Sequence, residues 1–374
     1  MITHPLMRIP RRPLTCIWEI TRACNLRCIH CENFGGTKGK QELSFDEMLT
    51  VVESLERLGC KVVDITGGEP LLHPKWDALA KRLHDAGIRT ALITNGIRFN
   101  EAALHRAMDA GVEIAVFSLD GPKPIHDRIR KQPHRFPLGA SPFDTTIENL
   151  TLAAKHLKTT VITQVNRLNL PHLDALHRLL HALGIEKWQI QLAVPTGRIL
   201  RSRTPLILPP EQLNTLTSFI VEKRRKGEMP FIDTSDTIGY YTEKEMALRK
   251  RTTGQGLWLG CQAGIRSVAI TFNGKVRGCS ILPPEFDAGD LHTESLDTIW
   301  ADAARFGYST AFDANKLEGD CKSCAYGAVC RAGCTSMAYY TTGTIYNNPY
   351  CISRPVVREK AAGRCEMEKR AAIQ

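Results

Sequence analysis

The chain has 374 residues, 43% of them hydrophobic and 24% charged, an ordinary globular composition with length for one large domain and a smaller companion. Its thirteen cysteines are odd in number and spaced as metal ligands, which argues against a secreted disulfide framework. No apolar stretch approaches the 18 or so residues that cross a bilayer, and Met1 to Pro13, with Arg8, Arg11 and Arg12, lacks a following signal-type apolar core, so the reading is a cytoplasmic protein with a formal charge of +10.

In chain order, short β-branched runs alternate with amphipathic segments, the pattern of repeated βα units on a parallel sheet. The spacing predicts strands over Thr15 to Ile20, Lys61 to Thr66, Arg89 to Thr94, Glu113 to Leu119, Thr159 to Val165 and Trp188 to Val194. Helices are predicted near Ser44 to Leu58, Pro74 to Ala86, Glu101 to Ala110, Phe143 to Leu157, Leu170 to Leu183 and Pro210 to Lys226. Six units fall short of the eight of a closed barrel, so the expected fold class is α/β, a partial (βα)6 barrel with its chemistry at the carboxyl ends of the strands. The basic runs Lys223-Arg224-Arg225-Lys226 and Arg249-Lys250-Arg251 read as solvated faces or as a contact for an acidic partner, with nucleic acid the weaker alternative.

Just after the first strand comes Cys24-x3-Cys28-x2-Cys31. Three thiolates on one loop can hold three irons of a 4Fe-4S cluster and leave the fourth iron open to a ligand. A Cys3His zinc site using His30 can be drawn from the same loop. The second strand runs into Gly67-Gly68-Glu69-Pro70, the third into Asn95-Gly96, and the fourth into Ser118-Leu119-Asp120-Gly121. Glycines there permit close backbone approach, and Glu69 offers a carboxylate to an ammonium group.

This cysteine loop followed one strand later by Gly-Gly-Glu-Pro resembles the radical S-adenosylmethionine (SAM) superfamily. The resemblance implies that Cys24, Cys28 and Cys31 carry the catalytic cluster, whose open iron chelates the methionine end of SAM, and that Gly67, Gly68, Glu69 and Pro70 receive its amino group. It further implies cofactor contacts from Ser118 and Asp120 at the ribose or carboxylate, from Asn95, and from Arg130 in the His126-Asp127-x2-Arg130 stretch, where a guanidinium can fork onto the SAM carboxylate. His30 falls to the cluster's surroundings or the cofactor.

Farther on, Cys261 and Cys279 flank Gly274, and Cys321-x2-Cys324-x5-Cys330-x3-Cys334 leads to Cys351. Asn273-Gly274 suggests a hairpin over Val268 to Gly278. From Cys321-x2-Cys324 alone a zinc ribbon can be read; the whole array resembles the SPASM extension of radical SAM enzymes. That resemblance implies a small cysteine-rich domain with two auxiliary iron–sulfur clusters: Cys321, Cys324, Cys330 and Cys351 on one, Cys334 crossing to join Cys261 and Cys279 on the other. That leaves the latter one ligand short, since Gln255 stands where some relatives carry a further cysteine, its fourth place either open to substrate or taken by another side chain. Such a domain would draw much of its folding energy from metal. The organisation expected is an N-terminal extension (1–14), the partial barrel (15–227), a linker (228–256), the SPASM domain (257–355) and a tail (356–374). Cys16 and Cys60 read as small buried apolar residues, and Cys365 as a bystander or, alternatively, a late ligand.

The implied activity is reductive cleavage of SAM to a 5'-deoxyadenosyl radical that takes a hydrogen atom from a substrate. The leading expectation is a ribosomally made peptide, crosslinked, oxidised or epimerised; the alternatives are a tetrapyrrole or other small molecule, since Trp18-Glu19-Ile20-Thr21-Arg22-Ala23 before the cysteines also looks like haem-pathway relatives, or a non-enzymatic iron–sulfur sensor or electron carrier. Ser280 after Cys279, where sulfatase-maturing relatives carry an acid, disfavours that role. Ten deprotonated cysteines and three clusters of +2 would change the formal charge by about −4, leaving a basic surface for an acidic flavodoxin- or ferredoxin-type donor. With only about a dozen residues before the first strand, a leader peptide is expected to need a separate carrier protein or the barrel itself.

Overall fold

We describe residues 10–133, 139–202, 205–249 and 258–353 of a computed structural model of the chain. The β-branched runs form strands β1 Thr15–Glu19, β2 Val62–Thr66, β3 Arg89–Thr94, β4 Ile114–Ser118, β5 Lys158–Val165 and β6 Lys187–Leu192. Their period of two sends Trp18, Ile65, Leu92, Phe117, Val161 and Trp188, all fully buried, outward against a ring of helices, while Glu19, Asp64, Gln189 and Gln191 take the alternate positions on the inner face. The ring comprises α1 Phe45–Arg57, α2 Trp76–Asp85, α3 Glu101–Asp109, α4 Lys123–Ile129, α5 Pro142–Ala154, α6 Leu173–Ala182 and α7 Leu213–Lys226. In α1 a capping box between Ser44 and Glu47 starts the helix and Met48, Val51, Val52 and Leu55 face inward; such a cap contributes about 1 kcal/mol.

The parallel ladder does not stop at six strands. Phe231–Thr234, in the segment expected to be a linker, forms β7 beside β6, and after α8 Glu245–Arg249 the chain returns to lay β8 Ser267–Ile270 parallel to β1. The hairpin about Asn273-Gly274 adds β9 Lys275–Arg277, and β10 Gly289–Asp290 follows; both pair antiparallel. Among the described residues one sheet therefore runs β10-β9-β8-β1-β2-β3-β4-β5-β6-β7. The cysteine-rich region is docked as a continuation of the barrel, and Arg11 of the N-terminal extension joins it, donating to Gly264 O at 2.7 Å and lying 4.0 Å over the Trp300 ring.

Buried Arg249 and Glu245 organise the stretch after β7. Glu245 accepts from Arg249 Nε (3.1 Å) and from the backbone N–H groups of Tyr240, Tyr241 and Trp258, while the guanidinium lies 5.0 Å over the Trp258 ring. The basic run ending α7 is likewise largely committed to the fold: Lys223 pairs with Asp174 and Glu228, Arg224 donates to Ile232 O and Leu248 O, and Lys226 pairs with Glu222. Arg249 is buried rather than solvated; Lys250, Arg251 and Gln255 lie outside the described residues, as does Cys365. Cys16 and Cys60 are buried. No helix among the described residues is long and apolar enough to cross a membrane.

Candidate active site

At the carboxyl ends of β1 to β6 the inward turns enclose a cavity of about 660 Å³, open to solvent. Cys24, Cys28 and Cys31 line it together with Gly67, Gly68, Asn95, Ser118, Arg130, Gln164 and Arg198. The cysteine loop is fixed by backbone bonds from Cys24 N to Gly36 O (2.7 Å), Arg27 N to Lys131 O (2.7 Å) and Ile29 N to Ile129 O (2.9 Å). The glycine turn is fastened to the residues just before the cysteine loop: Gly68 N donates to Thr21 O and Glu69 N to Ala23 O, each at 2.7 Å. A Cβ on Gly68 would lie 2.3 Å from Ala23 O, and one on Gly67 2.3 Å from Thr21 O, so the two loops approach as only glycine allows.

Glu69 is buried behind the wall formed by these glycines. Its carboxylate accepts from Thr94 Oγ1 (2.8 Å), Asn95 N (2.8 Å) and Leu71 N (3.3 Å), stitching the β2 and β3 turns together, and burial pushes it up to about 7. Pro70 is buried and opens the short turn Pro70–Leu72. Asn95 Nδ2 donates to Asn25 Oδ1 at 2.7 Å and lies 3.9 Å from Cys24 Sγ.

Asp120 is a buried hub. Its carboxylate takes Arg130 Nε (2.6 Å), His30 Nε2 (3.2 Å) and Gln164 N (3.0 Å). Burial alone would raise it, but the charge of Arg130 and the bond to His30 hold it well below the usual carboxylate range. The short helix α4 makes this possible by placing His126 and Arg130 one turn apart, with Arg130 N on His126 O; His126 Nδ1 accepts from Asp120 N, and burial lowers the imidazole to about 3. Of the residues expected at the cofactor, Ser118, Arg130, Asn95 and the glycines face the cavity, whereas Asp120 aims His30 and Arg130 from behind.

The second array separates into two groups. Burial raises Cys279, with Cys334 and Cys261 adding to it, and raises Cys334, with Cys261 adding; burial likewise raises Cys330, with Cys351, Cys321 and Cys324 adding. Between Cys330 and Cys334 three consecutive residues, Arg331, Ala332 and Gly333, have φ of 57°, 56° and 69°, a left-handed reversal that sends the two cysteines to different groups at a cost of about 1–2 kcal/mol for each non-glycine residue. Tyr240 holds the turn, its hydroxyl accepting from Cys334 N (2.9 Å) and donating to Asp236 O (2.6 Å). Glu32, beside Cys31, stands between the two regions: it accepts from Gln164 Nε2 (2.8 Å) and Val194 N (3.1 Å), lines the cavity, and its charge reaches Cys279. Arg198 and Glu32 were not singled out from sequence; Gly197-Arg198 in the turn after the sixth strand and an acid adjoining Cys31 were the available signals.

Among the described residues no three His, Cys, Asp or Glu side chains close around a point fit for a single metal ion. Burial pushes the Cys24 thiol up to about 12 and Cys28 to about 11, with the neighbouring cysteines adding to the effect at Cys24; such thiols are ionised by a metal centre that displaces their protons. Around the cavity His30 Nδ1 and Gln164 Oε1 are buried without hydrogen-bond partners among the described residues, which suits a polar ligand bringing its own donors and acceptors. The residues thus fit a cluster with an adjacent nucleotide-like cofactor.

An open parallel barrel with three thiols and a glycine-walled cavity at its carboxyl end defines an enzyme built for cluster-bound cofactor chemistry. The family model for the radical SAM superfamily matches residues 18–215, and that for SPASM, an iron–sulfur cluster-binding domain, matches 261–325. The chain belongs to the radical SAM superfamily; it is a radical SAM enzyme with a SPASM domain, and iron–sulfur clusters and SAM are its cofactors. It is 28% identical over 361 residues to the AdoMet-dependent heme synthase of Methanosarcina barkeri, covering 94% of this chain and 99% of the relative. It is 29% identical over 338 residues to the mycofactocin maturase MftC of Mycobacterium ulcerans, covering 88% and 85%. Streptococcus suis SuiB bound to S-adenosylmethionine shares the fold, with TM-score 0.71 at 16% identity, over 90% of this chain and 76% of that one.

Proposed function

We propose that Cys24, Cys28 and Cys31 hold the SAM-cleaving cluster and that the enzyme takes a hydrogen atom from a ribosomally made peptide, maturing it by crosslinking, oxidation or epimerisation. The convergence of the three-cysteine cavity and the Cys261/Cys279/Cys334 group on either side of Glu32 carries this reading. When bound, the cluster supplies the electron that breaks a carbon–sulfur bond of SAM and yields the 5'-deoxyadenosyl radical. The protein's own part is positioning. Gly67 and Gly68 line the cavity where the methionine end would lie; Asn95 and Ser118 offer polar contacts; Arg130, aimed by Asp120, presents its charge to a carboxylate. Cys261, Cys279 and Cys334 would hold one auxiliary cluster, Cys321, Cys324, Cys330 and Cys351 another. The basic composition suits an acidic flavodoxin- or ferredoxin-type donor, and the likeness to a relative named PqqA peptide cyclase supports a peptide substrate.

A second reading, a tetrapyrrole or similar small molecule, is favoured by the relatives named heme synthases, which match 92–95% of the chain. The test begins with anaerobically reconstituted protein, which should hold about twelve irons and convert SAM to 5'-deoxyadenosine with a strong reductant; triple replacement of Cys24, Cys28 and Cys31 by alanine should abolish this, and persistence of activity would reject the assignment. Coexpression with a small peptide encoded beside the gene should alter that peptide's mass or its deuterium content. An unmodified peptide together with tight, spectrally visible porphyrin binding would replace the first reading with the second.

A further inference from the structure

One residue ties the segment after β6 to the cysteine loop at three points. Arg198 lies in the short turn Gly197–Arg201. Its backbone N–H donates to Cys31 O at 2.8 Å. Its guanidinium donates through Nη1 to Cys28 O at 2.9 Å and through Nη2 to Gly35 O at 2.8 Å, across 170 and 163 residues of sequence. The approach is close by construction: at Gly197, with φ of 65°, a Cβ would lie 2.3 Å from Glu32 O and 2.5 Å from Cys31 O. Val194 N adds a bond to Glu32 Oε1. The same guanidinium faces the cavity.

We propose that Arg198 is a positioning residue for the N-terminal cluster, acting in two separable ways. Its forked bonds fix the carbonyls at Cys28 and Gly35, and with them the path of the loop from the second cysteine past the third. A guanidinium holds two acceptors in one plane, which a lysine ammonium does not. Its permanent charge, held against the backbone of the cysteine loop, favours the more negative, reduced state of a cluster held by that loop. The inference rests on the reading of Cys24, Cys28 and Cys31 as the cluster's ligands. It assigns Arg198 no contact with reacting atoms.

The experiment uses the full-length, anaerobically reconstituted protein and the variants Arg198→Ala and Arg198→Lys. The N-terminal cluster is titrated by electron paramagnetic resonance, with the Cys24/Cys28/Cys31 triple alanine variant supplying the auxiliary background, and amide exchange is followed over residues 28–36. Arg198→Ala should make the cluster about tenfold harder to reduce at a given potential, a negative change of about 59 mV for one electron, and should speed exchange in the loop. Arg198→Lys should keep the wild-type potential within about threefold yet still speed exchange, because it keeps the charge and loses the fork. If Arg198→Ala takes up no iron at the loop, the lysine variant decides: iron at wild-type potential supports the inference. Wild-type potential and exchange in both variants would overturn it, and equal potential changes in both would overturn its electrostatic part. Wild-type protein that takes up no iron at Cys24, Cys28 and Cys31 would instead defeat the cluster assignment itself, and this inference with it.

Discussion

Replacing Gly68 by alanine tests whether the glycine turn and the cysteine loop really share one contact surface. The new Cβ would meet Ala23 O at 2.3 Å, Arg22 O at 2.5 Å and Ala23 C at 2.7 Å. All three are backbone atoms, which cannot swing aside as a side chain can. Reaching ordinary contact at 3.4 Å or more requires the two segments to part by about 1 Å, which breaks or stretches the bonds Gly68 N to Thr21 O and Glu69 N to Ala23 O. Two backbone hydrogen bonds contribute about 1–3 kcal/mol together, and forced overpacking costs about 1–3 kcal/mol more, so the variant should lose about 2–6 kcal/mol. Because Arg22 and Ala23 lead into Cys24, the same displacement should lower 5'-deoxyadenosine formation by about 100-fold. Gly59→Ala is the internal control: its φ is 76° but nothing lies within 4 Å, so it should cost only the about 1–2 kcal/mol of a left-handed alanine and leave SAM cleavage intact. Denaturant midpoints of the reconstituted protein and product formation measured side by side give the answer. If Gly68→Ala is as mild as Gly59→Ala in both assays, the close apposition of the two loops is wrong.

Two other perturbations probe the frame. Burial on the inner face of β2 raises Asp64 from 3.8 to about 6, against the charge of Lys187; the native state then holds a proton that the unfolded chain has released, so this residue's contribution is complete below about pH 4 and is lost as pH rises through about 6. Asp64→Asn should therefore flatten the pH dependence of stability in that window, by up to about 3 kcal/mol at about 1.36 kcal/mol per pH unit, and parallel wild-type and variant curves from urea titrations would count against the burial. Arg249→Ala should destabilise by about 3–5 kcal/mol, since it leaves Glu245 as a buried unpaired charge; the double replacement Arg249→Met with Glu245→Gln should recover most of that loss in thermal melts, and an equally unstable double variant would contradict the pairing.

How far the sequence led can be judged residue by residue. The six barrel strands and the hairpin at Asn273-Gly274 were legible because period-two patterning and turn chemistry are local signals, whereas the grouping of the cysteines came only from the resemblance to SPASM proteins. The strand β7 was not: Phe231–Thr234 is four residues long, too short to display a period. Nor was α4, whose Lys123-Pro124 opening reads as loop although proline is tolerated in a first turn. The deeper omissions are matters of distance along the chain. Asp120 meets His30 across ninety positions, and Arg198 meets Cys28 across 170; each is a polar residue in a loop until the fold brings its partner. Asp120 itself was expected at the cofactor, and the structure sets it behind His30 and Arg130, because a carboxylate so enclosed is stable only when its oxygens are spoken for.

The pairing of β8 with β1 has a bearing on how this chain is made and inherited. During synthesis β1, Thr15–Glu19, has a neighbour on one side once β2 emerges, but its other margin stays bare until Ser267–Ile270 has been synthesised. Through that interval a margin carrying Cys16, Ile17 and Trp18 offers unpaired amides and carbonyls to any other extended chain, a template for intermolecular association. A gene trimmed to the barrel alone would leave this margin permanently uncovered, so the two halves are expected to be transmitted as one open reading frame rather than as separable modules.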